Sequence, residues 1–486
     1  MKNFRRVLLM LLLAATALPA WAHVGSKDVF EDVNAGPYKL FVTVRPPNVI
    51  PGVATIEVRA SGPHVSAIHI TPVPMTGEAA KHPPTPDAMK VSPDDAQFFT
   101  GSLWLMASGS WQVRFQVDGA AGEASAGVPV AAMPLSILPM QRSLGMVLGL
   151  LGLILAIGMV GIVGGAVREA RLAPGVAPTA ARRRAAWMAS AAALVVATLM
   201  IYGGAAWWHV DAASYAREIY RPLVLEPVLR GNKLVLSFGG YEHRGGLWRV
   251  ESTNELLPDH GQRMHLFAIR WPEMDAVFHL HPQPVGKRDL GMTLPAMPPG
   301  QYRLFADIVH ANGFPETLTA KLDVPAGMSN APLGPDDASA QPPGVSAGEL
   351  GASYNLPDGY TMVWDKPAPL LASKAYAFRF RLLGPDGKPA TDMQPYLGMA
   401  GHAAFVKTDG TAFAHTHPDG SAAMPAVMMA NGDAMADMQG MTMPGDPVKP
   451  VVEFPYGFPS AGRYRVFIQM KHGGVVETGV FDADVH

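Results

Sequence analysis

The 486-residue sequence contains no cysteine. Disulfide staples and thiolate metal sites are excluded, so any bound metal must use nitrogen, oxygen or thioether ligands. A charge excess of one sign is also missing: 38 lysines and arginines stand against 40 aspartates and glutamates. Without a basic stripe, no nucleic-acid surface is expected. Several catalytic signatures are absent as well. The chain has no G-x-S-x-G, no H-E-x-x-H and no Gly-rich phosphate loop. No carboxylate adjoins its paired histidines as a convincing general base.

Two long apolar runs lack internal charge. Residues 143–167 lie between Arg142 and Arg168, and residues 185–208 follow Arg182, Arg183 and Arg184. Each is long enough to span a bilayer. The connection between them carries five arginines and one glutamate. The positive-inside rule places it in the cytoplasm, with Trp207 and Trp208 at the far interface. With no charge inside either run there is no proton relay to propose, and the pair reads as an anchor. Residues 1–22 read as a signal peptide: Lys2, Arg5 and Arg6, an apolar stretch, then Ala20-Trp21-Ala22 as the cleavage site. Cleavage there makes His23 the mature N-terminus.

Short alternating strands bounded by Pro, Gly and Asp fill the rest. The expected organisation is an N-terminal β-sandwich over 23–141, a transmembrane hairpin over 142–208, a sandwich repeat over 214–325, a linker over 326–349 and a second repeat over 350–486. The fold class is mainly β: three periplasmic immunoglobulin- or cupredoxin-like β-sandwiches plus a two-helix transmembrane hairpin.

The repeats share four histidines. MHLFAI…FHLHP…GQYRLFADIVH supplies His265, His279, His281 and His310; GHAAFV…AHTHP…GRYRVFIQMKH supplies His402, His415, His417 and His472. A duplicated fold must keep its core pattern but need not keep four imidazoles, so the expectation is one metal site per copy. In each H-x-H the two imidazoles leave one strand face, roughly 7 Å apart at Cα. His310 and His472 extend the apolar faces that begin at Tyr302 and Tyr464. Taken singly, each histidine also fits an ordinary turn residue. His260 has no counterpart in the second copy and reads as a turn or supporting residue. Glu316 and Glu477 follow the last histidine of each copy and are expected in turns.

The second copy carries seven methionines between 424 and 443, with Met435, Met438, Met441 and Met443 spaced M-x2-M-x2-M-x-M. Thioethers select soft ions, above all Cu(I). An adaptable apolar loop is the plainer reading of the same segment. His23 offers a further copper chelate, with His64, His69, His82 or Asp28 as partner.

The start HVGSKDVFEDVNAGPYKLFVTVRPPNVIPGVATIEVRA, with SLWLMASGSWQVRF, resembles an uncharacterised family of bacterial exported membrane proteins. It is also loosely similar to YtkA-like domains and to periplasmic copper-resistance proteins of immunoglobulin-like fold. In the latter a mature N-terminal histidine holds copper with a second histidine; only His23 maps by position. The segment LLPDHGQRMHLFAIRWPEMDAVFHLHP resembles a D-H-G-x-x-M-H-L-F…F-x-H-x-H-P motif found in bacterial secreted and metal-associated proteins, and YLGMAGHAAFVKTDGTAFAHTHP carries the same motif with a shifted front end. These resemblances imply a periplasmic, metal-handling setting.

The expected function is therefore a non-enzymatic, inner-membrane-anchored copper-binding protein for tolerance, sensing or delivery. Cu(II) would sit at the histidines and Cu(I) at the methionines, and the partner would be a copper-dependent or copper-exporting membrane protein. The competing readings are a structural or assembly module for a membrane complex and, third, a metal-dependent enzyme.

Overall fold

A computed structural model describes residues 27–138, 140–239, 250–328, 331–432 and 448–486. The segment 1–22 expected as a signal peptide, His23, Met435, Met438, Met441 and Met443 lie outside the described residues. The chain divides into two units, Met1–Pro134 with Tyr220–His486 and, separately, Leu135–Ile219.

The smaller unit holds two long helices, Arg142–Glu169 and Ala180–Arg217, both long and apolar enough to cross a membrane. The second runs past the expected 185–208 at both ends. Its start is capped by Thr179, whose side chain accepts from the Arg182 amide. The helices touch at Gly164, where an added Cβ would meet the Ser190 hydroxyl at 2.2 Å, so a hydrogen at that position permits the approach.

The larger unit is built from antiparallel sheets. Near its start, Val29–Ala35, Tyr38–Arg45, Gly52–Ser61 and Phe98–Leu105 pair in one sheet. Val65–Pro74, Gly109–Gly119 and Gly122–Ala132 pair in another. Alternate side chains from both sheets, among them Tyr38, Leu40, Val58, Ile70, Phe99 and Phe115, bury one shared core.

Both histidine repeats place their H-x-H on a sheet of the same topology. In the first, His265–Arg270 lies between Val277–Leu280 and Gly300–Val309. In the second, His402–Lys407 lies between Phe413–Thr416 and Gly462–His472. Strand parity then sorts the side chains. Leu266, Ala268, Phe278, Leu280, Tyr302, Leu304, Ala306 and Ile308 face the first repeat's own core. Ala403, Phe405, Ala414, Tyr464, Val466, Ile468 and Met470 do the same in the second.

The opposite faces meet each other. Phe267, Ile269, Val277 and Phe305 pack against Ala404, Val406, Phe413 and Phe467 in a separate buried cluster. Each large apolar side chain removed from water there contributes about 1.5–3 kcal/mol. At one end of this interface Arg465 and Asp482, both fully buried, form a two-pronged pair at 2.8 and 3.0 Å. The same guanidinium donates to the carbonyls of Met274 and Pro343. Two residues on from Arg465 comes Phe467, and two further on Gln469, where the interface turns from apolar to histidine-rich.

The stretch expected as a linker is partly structured. Ala338–Ala340 adds a strand beside Val277–Leu280, and Asp337 contacts the first H-x-H. Its Pro and Gly content suits a crossing segment that lies on the sheet edge as well as a free spacer.

Candidate metal centre

Six histidines fall into two groups whose ring nitrogens lie within 4.8 Å of one another: His265, His279 and His281, and His260, His402 and His417. His415 links them, its ring 4.9 Å from that of His265 and 5.5 Å from that of His402. The rings of His265 and His402 are 6.1 Å apart, so the seven imidazoles form one continuous patch between the repeats.

The first group is hydrogen-bonded from its outer side in a way that could hold a metal ion. His281 Nδ1 lies 3.0 Å from the Asp337 carboxylate, and His265 Nε2 lies 3.1 Å from the Asp259 carbonyl. His279 Nδ1 lies 2.7 Å from Gln469 Oε1 and 3.2 Å from the Tyr396 hydroxyl, which donates its own proton to the Asp336 carbonyl. Each of these partners accepts, and a neutral imidazole has a single N–H to give. In the tautomers that direct those protons outward, His265 Nδ1, His279 Nε2 and His281 Nε2 present lone pairs inward. The first two are only 3.0 Å apart. Such a set repels itself and suits a metal ion, because ligating histidines characteristically donate their other N–H to a carbonyl or carboxylate.

The second group is less satisfied still. Both nitrogens of His260 and of His402, and Nε2 of His417 and of His415, are buried with no hydrogen-bond partner among the described residues. A buried polar atom left this way costs about 1–3 kcal/mol. His417 also hydrogen-bonds the backbone of Ala422. Burial is the largest cause holding His265, His279, His402, His415 and His417 well below the usual imidazole pKa; neighbouring imidazoles add to it. All five are neutral at physiological pH, the form that ligates.

Two of the eight expected repeat histidines lie apart from the others. His310 and His472 do not join the patch, because they sit on the strand parity of Tyr302 and Tyr464, which turns them away from the interface. His310 Nε2 instead lies 2.7 Å from Glu316, which also accepts from the Tyr220 hydroxyl and the Leu223 amide. His472 stacks on Tyr360 and faces Asp358 and Asp392 at 3.2 and 3.6 Å. Glu316 and Glu477 lie within the strands Pro315–Val324 and Val475–Val485, outside the expected turns.

His260 lies in a turn, as its sequence setting suggested, but it also faces the histidines of the second repeat. It occupies a two-residue turn in which Asp259 and Gln262 exchange backbone hydrogen bonds, with φ of 48° at His260 and 82° at Gly261. Tyr396 and Met399 close the same turn in the second repeat, with φ of 50° at Leu397 and 81° at Gly398. PDHGQRMH and PYLGMAGH therefore align without a shift. Each turn reaches across the interface: His260 to His402 and His417, Tyr396 to His279. No metal group among the described residues includes His64, His69 or His82. His64 contacts Gln97, His69 lies 3.6 Å from Asp118 and His82 lies 3.8 Å from Glu78.

Residues 354–486 match a family described as a domain of unknown function, DUF8832. That span takes in the second repeat's histidines and leaves the first repeat's outside. No curated protein matches the chain. Among solved structures, a tetra-tandem repeat from the extending region of a large adhesion protein is 8% identical, with a TM-score of 0.17, covering 92% of this chain and 74% of that one. The dimeric latent PorU of Porphyromonas gingivalis is 8% identical with a TM-score of 0.14, covering 92% and 34%. E. coli alpha-2-macroglobulin in its native conformation is 7% identical with a TM-score of 0.21, covering 93% and 23%. The chain thus spans about a third and about a quarter of the last two. Likenesses at these TM-scores carry no argument about this chain.

Proposed function

We propose that this chain is a membrane-anchored copper-binding protein that holds one ion at each histidine group, in a site shared by its two repeats. The observation that carries the reading is the inward-facing lone-pair set of His265, His279 and His281, each imidazole fixed from behind by an acceptor. Three buried imidazoles with no thiolate suit copper, zinc or nickel. Copper is the choice because Met435, Met438, Met441 and Met443 follow in the same chain, and thioethers suit Cu(I) and not Zn(II). On this reading the histidines hold Cu(II), the methionines collect Cu(I), and the chain serves copper tolerance, sensing or delivery to a copper-dependent or copper-exporting membrane protein.

The two apolar helices would form a hairpin in the inner membrane, with three β-sandwich modules on the periplasmic side. The arginine-rich connection supports that orientation. A structural or assembly role needs no unsatisfied imidazoles, and it is separated by titration of the full chain in detergent. Copper binding of two equivalents at the histidines in wild type, with loss of about one in His279→Ala and of about one in His402→Ala, supports the proposal. Equal binding by all three proteins refutes it.

A further inference from the structure

We propose that the cavity where the N-terminal strands meet both repeats is the route by which a cation reaches the imidazoles; this rests on the metal-binding reading above. Among the described residues the inner rings of the patch are covered. His265, His279 and His402 are at most 1% exposed, so an ion needs an opening to reach them. A cavity of about 110 Å³ lies beside the patch, with His415 and His417 in its wall. At about 30 Å³ per water, that volume holds an ion with part of its hydration shell.

The wall has the chemistry of a cation path. Asp28, Asp259, Asp307 and Glu316 line it together with the two histidines. Asp307 adjoins the imidazoles, its carboxylate 3.4 Å from His415 Nδ1 and accepting from the Thr317 hydroxyl at 2.5 Å. Beyond it, Nε2 of His415 and of His417 are buried with no hydrogen-bond partner among the described residues. The His415 side chain is 3% exposed, and His417 as a whole 4%. The two cations in the wall are engaged elsewhere. Arg263 donates to the carbonyls of Thr253 and Leu256, each at 2.9 Å, and Lys27 donates to the Pro46 carbonyl and to Asn48. An ion moving from carboxylates to imidazoles passes from oxygen donors that exchange readily to nitrogen donors that bind copper more tightly.

The N-terminal strands complete the route. Glu31, 2% exposed, accepts from the Ala422 amide at 2.5 Å, and Phe30 and Asp32 make backbone bonds to the turn after His417. Asn431 bonds Gly127 through both its side-chain atoms. These contacts hold one wall against the other, which makes loading depend on a part of the chain that supplies none of the seven imidazoles.

The test is Cu(II) uptake by the chelator-stripped full chain in detergent, followed by stopped flow, beside equilibrium binding. Ser110→Phe and, separately, Ala131→Phe fill the cavity from its N-terminal wall. The proposal expects uptake slowed at least tenfold with equilibrium stoichiometry unchanged. Uptake at the wild-type rate overturns it while leaving the metal site standing. Lost equilibrium binding in a folded variant also overturns it, since the cavity is then part of the site. Should both fillings unfold the chain, Asp28→Asn decides: slower uptake at low ionic strength supports the route, and an unchanged rate refutes it. Wild type that binds no copper fails the metal reading itself, and the route with it.

Discussion

Asp307 of the first repeat lies 3.4 Å from His415 of the second, and the relationship is reciprocated: Gln469 of the second lies 2.7 Å from His279 of the first. Asp307 and Gln469 hold equivalent places, each directly across the strand pair from the histidine that opens its own sheet's central strand. Each repeat thus orients the leading imidazole of the other's H-x-H. Gln469→Leu removes the acceptor behind His279 and is expected to weaken copper at the first group by 10- to 100-fold, the usual effect of losing such a partner. Competition titration against a chelator of known affinity measures it. An unchanged affinity means Gln469 does not orient a ligand.

His260→Leu installs the residue that the second repeat carries at the same turn position, Leu397. The backbone strain at positive φ is then no worse than the chain already tolerates. The expected outcome is one copper lost from the second group and the first left intact, read by elemental analysis of the loaded protein. Retention of both ions would return His260 to a purely structural role.

The buried neutral imidazoles make the metal-free protein acid-sensitive. Their folded pKa values lie below the unfolded value of about 6.5, so the unfolded state binds more protons as acid is added. Stability is therefore full above about pH 6.5 and falls as pH drops below it, by up to about 1.4 kcal/mol per pH unit for each histidine. Denaturant melts of chelator-treated protein at pH 7.5 and 5.5 check this. Equal stability at the two values contradicts the burial that the account assigns to these rings.

Asp482→Asn tests the other end of the interface. Breaking the buried pair leaves Arg465 without its counter-charge, and the expected loss is about 3–5 kcal/mol, with copper stoichiometry preserved in whatever folds. The Arg465 hydrogen bonds hold the Asp482 carboxyl below its usual range against the opposing effect of burial. Its stabilisation is present above the ordinary carboxylate pKa and is lost as pH falls through the lower, folded value. Urea melts of the two proteins give the difference.

Much of this was legible in the residues. Alternation in YRLFADIVH and YRVFIQMKH marks the strands and places His310 and His472 with Tyr302 and Tyr464. That same parity separates them from the H-x-H pairs once the outer face of the sheet is known to be buried. What the sequence could not convey is that the two repeats pack face to face, because pairing between sheets leaves no periodicity of its own. One signal was available: Phe305 and Phe467 are large apolar residues on the face that an isolated sheet would expose. Alignment of PDHGQRMH with PYLGMAGH would likewise have placed His260 in a turn shared by both copies, though not its reach across the interface.

The most direct test of the central claim is copper K-edge X-ray absorption on the full chain loaded with two equivalents of Cu(II). The expected spectrum shows a first shell of imidazole nitrogens that changes in His279→Ala and in His402→Ala and is unaltered in the His310→Ala/His472→Ala double variant. A spectrum indifferent to His279 and His402, or one altered by the loss of His310 and His472, contradicts it.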